Sequence, residues 1–392
     1  MEMTMSDPKD TAAIQDFLSK NAEEEKYEIL KHETSKKRAL IDSKRVDSQL
    51  EKLQQDEKDM QLAKNANYDA LTEDQIKELQ RNNDEYIESA KSPMYFISDV
   101  FNGVVPFFRK NLIFVGAKTG EGKSTAVANI VFNVKNSINP ATGKYRRSFV
   151  ITNEEKAEDV YNRVTALQKG WTYTNHSKFT DEQAKTFTRA IPIWAKDGLI
   201  TVADNTYSGG HGVSTSLEGI ASIFDNLIEK KIYYDVILID YYQNIIYSQK
   251  DQFMSENEVQ ARLARMLDRY KNIYPAPIVL MGQMNPPDDQ DRTPWQQRIK
   301  GRKIIADSAT FVVEMSADFE NHATEWKVWK SRFTESIGKE YKTGWDKGKY
   351  VNHDDEFIAK IAAMKLERDM RDADRRIGLP NVQADSGEEN GE

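Results

Sequence analysis

From about residue 94 onward, short apolar runs alternate with amphipathic stretches. LIFVG (112–116), SFVIT (148–152), GLITVAD (198–204), DVILID (235–240), PIVLMGQ (277–283), TFVVEM (310–315) and EWKVWK (325–330) have the length and branching of buried strands. Helices are predicted after LIFVG, over EEKAEDVYNRVTAL (154–167), near 255–273 and over 355–376. Strands alternating with helices predict an α/β domain over 93–354, a mostly parallel sheet flanked by helices, with the last two runs added as antiparallel strands. Residues 355–378 form a C-terminal helix in this reading, and 379–392, ending in four acids and no base, an acidic disordered tail.

The first 92 residues follow another pattern. Neither Gly nor Pro occurs between Pro8 and Pro93, and Val46, Leu50, Leu53 and Met60 recur at helical spacing. Thr72 and Gln75 are spaced as a capping box, after which Ile76, Leu79, Asn83, Tyr86 and Ile87 share a face. Residues 1–92 thus predict a charged, all-helical N-terminal arm or collar; a solvated helical arm accounts for such charge better than a catalytic domain does. All six tryptophans lie at or beyond Trp171, which places the core downstream.

Composition narrows the chemistry. The 392 residues contain no cysteine, which excludes disulfides and thiolate zinc sites. The five histidines form no HExxH pair, so a metal would be Mg²⁺ on oxygen ligands. An acidic amino terminus and the lack of long apolar runs predict a soluble, cytoplasmic protein with no membrane contact. A net charge of -8 leaves nucleic-acid binding to local basic patches.

GAKTGEGKST (116–125) stands between an apolar strand and an apolar helix. A glycine-rich turn there exposes backbone N–H groups and a helix N-terminus to phosphate oxygens. Gly116, Ala117, Lys118, Thr119, Gly120, Glu121, Gly122, Lys123, Ser124 and Thr125 are therefore the expected binding loop for ATP or another NTP. Lys123 would reach the β and γ phosphates and Ser124 would ligate Mg²⁺; the strict pattern wants Gly where Ala117 stands. Asp240 ends DVILID, where it can hold the water shell of the metal or merely cap the strand. Glu154 or Glu155 could polarise an attacking water or favour a helix N-terminus, and Gln283 ends a strand where an amide can sense the γ-phosphate.

The order and wording of these segments resemble the DnaB-like hexameric replicative helicases of the RecA-type ATPases, including the helicase half of short-tailed-phage primase-helicases, over about residues 94–350. AKTGEGKST is similar to that family's Ala-headed P-loop, and ITNEEKAEDVYNRV to the segment with its catalytic glutamate, implying Glu154 first and Glu155 second. LIDYYQNI resembles the Walker B strand, implying Asp240 and Gln243; VLMGQMN resembles the sensor strand, implying Gln283 and Asn285. WKSRFT resembles the Lys-x-Arg pair that reaches a neighbour's ATP, implying Lys330 and Arg332. Pro286, Pro287 and FTESIG depart from the pattern. The resemblance implies an ATPase that unwinds DNA in replication, phage replication included, as a hexameric ring on single-stranded DNA. Primase, polymerase or loader contacts would fall to the N-terminal helices or acidic tail, and priming itself is not expected of this chain.

QDRTPWQQRIKGRKI places Arg292, Arg298, Lys300, Arg302 and Lys303 around Trp295. Cations track phosphates and an indole stacks on a base, so these six are the expected DNA contacts; the alternative is a solvated basic loop around a packed Trp. Two other functions stay open at this point: a filament-forming recombinase or mediator ATPase, and a non-motor scaffold in which ATP fixes assembly.

Overall fold

The structure, a computed structural model, describes residues 57, 60–61, 71–91, 96–98, 110–139, 142–173, 178–196, 198–204, 216–240, 255–285, 294–299, 303–332 and 336–377. The chain divides into two compact units, 1–79 and 80–392. Most of the predicted N-terminal arm, and all of the tail 379–392, lie outside the described residues. Helix α1 (Glu73–Lys91) begins at the predicted capping box: Thr72 N–H donates to Gln75 Oε1 at 2.9 Å and Gln75 N–H to Thr72 Oγ1 at 3.3 Å. Its apolar positions Ile76, Leu79 and Ile87 are exposed.

The larger unit is built on one sheet. Its strands are β1 (Leu112–Ala117), β4 (Ser148–Thr152), β5 (Ile200–Ala203), β6 (Val236–Asp240), β7 (Ile278–Gln283), β8 (Phe311–Asp318), β9 (Ala323–Ser331), β10 (Glu340–Asp346) and β11 (Lys349–Asn352), in the order β11-β10-β9-β8-β1-β7-β6-β4-β5. The short strands β2 (Ile138–Asn139) and β3 (Lys144–Tyr145) form a separate hairpin. Strands β8, β1, β7, β6, β4 and β5 are mutually parallel, and β9, β10 and β11 continue as an antiparallel meander. This corrects one expectation. TFVVEM is not an antiparallel addition but a parallel neighbour of β1, and the antiparallel part starts one strand later and runs two strands further.

Alternation along the strands sends side chains to two cores. Ile113, Val115, Val150 and Leu238 pack beneath α2 (Lys123–Lys135) and α3 (Ala157–Lys169); Leu112, Phe114, Ile237 and Leu280 pack beneath α5 (Leu217–Glu229) and α6 (Glu256–Ile273). Helix α6 starts at a capping box, with Ser255 N–H on Glu258 Oε2 at 2.8 Å. Three further helices complete the layers before β8: α4 (Asp181–Lys196), α7 (Trp295–Arg298) and α8 (Lys303–Ser308).

Trp326 of β9 is fully buried, its Nε1 donating to Thr343 Oγ1 at 2.8 Å, against the edges of Phe96 and Tyr350. The C-terminal helix α9 (Asp355–Ile377) is capped by Asp354, which accepts from Phe357 N–H at 2.9 Å, and buries Phe357 and Ile361. Gly344 permits that docking, since a Cβ there would lie 2.5 Å from the Phe357 ring. Among the described residues, no helix is long and apolar enough to cross a membrane.

Gly344→Ala should therefore destabilise the unit by about 1–3 kcal/mol through overpacking. Phe357→Leu in the same chain should restore part of the loss in a thermal unfolding series, and equal Tm values for wild type and Gly344→Ala would reject the close packing.

Candidate nucleotide site

The parallel strands bring their C-terminal ends to one edge, and the expected nucleotide residues collect there. Ala117 pairs with Gln283 and Gly116 with both Gly282 and Glu314; Thr152 pairs with Asp240. The loop between β1 and α2 needs glycine at two points. Gly120 and Gly122 have φ of +86° and +88°, a region that L side chains rarely enter. Ala117, by contrast, still lies within β1, so nothing in the backbone demands the glycine of the strict pattern.

Helix α2 starts at Gly122 without a side-chain cap and without an acid in its first turn, which leaves its N-terminal N–H groups and dipole for an anion. Lys123 is buried and donates from Nζ to Lys118 O at 3.1 Å, held against the loop it would serve. Glu121 is half-buried, and its Oε2 accepts from Lys118 N–H at 3.3 Å. Burial pushes its carboxyl upward, with the Glu314 charge acting in the same direction and Lys118 against.

Asp240 is 2% exposed. Its Oδ2 accepts from Ser124 Oγ at 3.4 Å, while Oδ1 is buried with no hydrogen-bond partner. Burial, and next the Glu155 and Glu154 charges, push the carboxyl up to about 7, with Lys123 and Ser124 opposing. An orphaned buried carboxylate oxygen beside a hydroxyl suits a hard cation that keeps most of its waters. The residues thus fit Mg²⁺ held by one hydroxyl, one carboxylate and phosphate oxygens; among the described residues no group of three or more His, Asp or Glu could hold a metal alone.

Thr152 shapes the acidic turn. Its Oγ1 accepts from Glu154 N–H at 3.4 Å and Glu155 N–H at 3.1 Å, and Asn153 N–H donates to Asp240 O at 2.9 Å. The two glutamates then diverge. Glu155 is paired with Arg163 at 2.7 Å, whose guanidinium lies over Tyr173, whereas Glu154 is exposed. Arg163 and Tyr173 belong to this corner and were not expected from the sequence; eight residues separate Arg163 from Glu155, a distance that only the fold makes short.

The basic segment does not meet its expectation as a set. Arg292, Lys300 and Arg302 lie outside the described residues, as does Gln243, and Lys303 opens α8. Arg298 is 4% exposed, paired with Glu314 of β8, and donates from Nε to Asn285 O at 3.1 Å. A guanidinium so enclosed is unavailable to DNA phosphates, which corrects that assignment. Trp295 is half-buried and stacks on Trp329, ring centroids 6.3 Å apart and planes 16° apart, so one indole face is already covered.

Lys330 and Arg332 gather elsewhere. Lys330 Nζ donates to Ala306 O and Asp307 O at 2.7 and 2.8 Å, Arg332 to Asp307 O at 3.1 Å, and Lys271 to Ser308 O at 3.1 Å. These cations meet the unsatisfied carbonyls at the C-terminal end of α8. Burial, and then Arg332, lower the Lys330 ammonium below its ordinary value. Ser331 is level with Phe311 and Phe311 with Ile113, whereas the P-loop leaves after Ala117. Those four residues of strand are roughly 13 Å. Arg332 therefore lies toward the opposite end of the sheet from its own P-loop.

No family model and no curated protein matches the chain. Among solved structures it is similar to an isolated ATPase domain, with a TM-score of 0.52 and 14% identity over 71% of this chain and 99% of that one. It is likewise similar to a DnaB-like replicative helicase whose interactions with primase were described, with a TM-score of 0.52 and 15% identity over 73% of this chain and 68% of that one. The fold is the RecA-like ATPase fold. Both of these structures share that fold with the chain at 14–15% identity.

The Asp240 environment sets a pH dependence. Its carboxyl ionises near 3.8 unfolded and about 7 folded, so the folded chain holds the extra proton between those values and stability falls as pH rises through that window. In chelator without nucleotide, Asp240→Asn should remove that part of the slope and be the more stable protein at pH 8 by on the order of a few kcal/mol. Parallel Tm-versus-pH curves for the two proteins would contradict this.

Proposed function

We propose that the chain is an ATP-dependent DNA helicase of the DnaB-like class, which assembles into a hexameric ring and moves along single-stranded DNA in replication of a cell or phage genome. Its place of work would be the cytoplasm, the host's where a phage encodes it. The observation that carries the reading is buried Asp240, one oxygen on Ser124 and the other orphaned, beside an uncapped P-loop helix.

ATP, or another NTP, would lie along the loop from Gly116 to Thr125. Backbone N–H groups of the loop and of the first turn of α2 would hold phosphate oxygens, and Lys123 would exchange Lys118 O for the β and γ phosphates. Mg²⁺, held by Ser124 and through water by Asp240, would neutralise charge as the terminal bond breaks. Glu154 is the preferred base: it is exposed, while Glu155 is engaged by Arg163. It would orient a water and take its proton. Gln283, level with Ala117, would report the γ-phosphate.

Arg332, with Lys330 beside it, would stabilise the transferring phosphate of an adjacent protomer, which is why a neighbouring protomer is required. The strand register supports trans action, because a side chain of that length does not span the sheet to its own P-loop. The remaining basic residues Arg292, Lys300, Arg302 and Lys303 are the proposed phosphate contacts, with Trp295 offering its uncovered face to a base. Primase, polymerase or loader contacts are assigned to the N-terminal helices and the acidic tail.

Lys123→Ala and Arg332→Ala should each lose ATP turnover by about 10³-fold or more. Mixed, they should regain activity that single-stranded DNA stimulates, because some junctions then join an intact P-loop to an intact Arg332. A dead mixture, together with activity that falls only in proportion when either mutant is diluted into wild type, would reject the shared site. Filaments in place of rings in electron micrographs would move the chain to the recombinase class.

A further inference from the structure

After β4 the chain carries two adjacent carboxylates, Glu154 and Glu155, where hydrolysis needs one. Thr152 is level with Asp240, and the turn that follows is wound around its hydroxyl. Thr152 Oγ1 accepts from Glu154 N–H at 3.4 Å and from Glu155 N–H at 3.1 Å, and donates to Glu155 O at 3.3 Å. Both glutamates therefore leave the backbone side by side at the edge that carries the P-loop. Their side chains are long and flexible, so the turn alone does not decide which carboxylate serves the site.

Helix α3 makes the choice. Its first residue, Ala157, donates its N–H to buried Asp204 Oδ2 at 2.8 Å, which pins the start of the helix beside the end of β5. Asp159 and Arg163, at positions i and i+4, share one face of that helix. Tyr173 lies across both: its hydroxyl donates to Asp159 Oδ1 at 2.8 Å, and its ring centroid is 4.7 Å from the Arg163 guanidinium. Phe179 and Phe187 pack on the same ring, with centroids 5.9 and 6.4 Å away. The guanidinium, so placed, takes Glu155 Oε1 at 2.7 Å, whereas Glu154 stays exposed.

We propose that Arg163, braced by Tyr173 and Asp159, is a positioning residue that selects between the two glutamates: it holds Glu155 out of the reaction and leaves Glu154 as the base, and in its absence Glu155 takes the same task. The selection rests on the proposed function for ATP hydrolysis at the P-loop, and not for DNA. In that reaction a water oxygen bonds the γ-phosphorus as the bond to the bridging oxygen breaks, the electron pair leaves with ADP, and the water's proton passes to the free carboxylate. A carboxylate paired with a guanidinium is the weaker base, because the cation favours its ionised form.

The test is steady-state turnover of Mg²⁺·ATP by the full chain, with binding of a non-hydrolysable analogue measured beside it. Glu154→Gln should bind the analogue and lose turnover by about 10²-fold or more. Glu154→Gln/Arg163→Gln should turn over at least about tenfold faster than Glu154→Gln, and adding Glu155→Gln to it should abolish that gain. A merely structural Arg163 produces no such gain. Removing one partner of an ion pair is costlier than removing both, so Glu155→Gln/Arg163→Gln with Glu154 intact is the second variant, and its kcat should stay within about threefold of wild type.

Glu154→Gln/Arg163→Gln that binds the analogue and stays inactive, or whose gain survives Glu155→Gln, overturns the selection. So does loss of turnover in Glu155→Gln/Arg163→Gln, which would give Arg163 a task of its own, and so does loss of analogue binding in both Arg163→Gln variants, which would make the ion pair purely structural. Full turnover in Glu154→Gln with loss in Glu155→Gln would make Glu155 the base, overturning the selection while ATP hydrolysis at the P-loop stands. A wild type that hydrolyses no ATP would instead refute the proposed function, and the selection with it.

Discussion

The site depends on the placement of β1 between two parallel neighbours. β7 on one side and β8 on the other pair with it in register, so that Ala117 is level with Gln283 and Gly116 with Glu314. The pairing is tight enough that a Cβ at Gly116 would lie 3.0 Å from Met284, which keeps the P-loop strand and the following residue of β7 in contact. A shift of one residue in either ladder would turn each strand's two faces over, exchanging Ile113 and Val115 for Leu112 and Phe114 in the two cores. Burial thus fixes the register, and the register aligns the polar residues at the strand ends.

The same register separates the charges. At the C-terminal edge stand the acids Asp240, Glu154 and Glu155 with Lys123, arranged around a helix N-terminus. Toward the other end Lys271, Lys330 and Arg332 converge on the last carbonyls of α8. One group suits a phosphorylated ligand with its cation, the other an anion brought from outside the chain. In the proposed ring each protomer would present the second group to a neighbour's first. The bond from exposed Arg332 to Asp307 O would be given up for a charged phosphate, a stronger acceptor.

Much of this was legible in the sequence where local rules decide. Apolar runs of four to six residues became β1, β4, β5, β6 and β7, and the capping box at Thr72 starts a helix. The P-loop was legible because its conformational demand is local. Strands β10 and β11 were not predicted, since EYKTGWD and KYVN draw their burial from Phe357 and Trp326, which lie outside those two strands. Helix α4 was not predicted either, and it carries Pro192 in its interior, a residue read from sequence as a breaker.

Arg298 shows why a basic segment cannot be read as a unit. Four basic neighbours and a tryptophan made it one more cation on a loop. What separates it from them is Glu314, which lies sixteen residues later on a strand whose apolar run hides one charge among Val312, Val313 and Met315. A carboxylate in such a strand is costly unless it is paired, so Glu314 was itself the signal that a cation had to come to it. The Arg that follows β7 is the one that does, and Trp329 and Asn285 contact the pair as well. The acid set in the apolar run of β8 was therefore more informative about the loop than the loop's own composition.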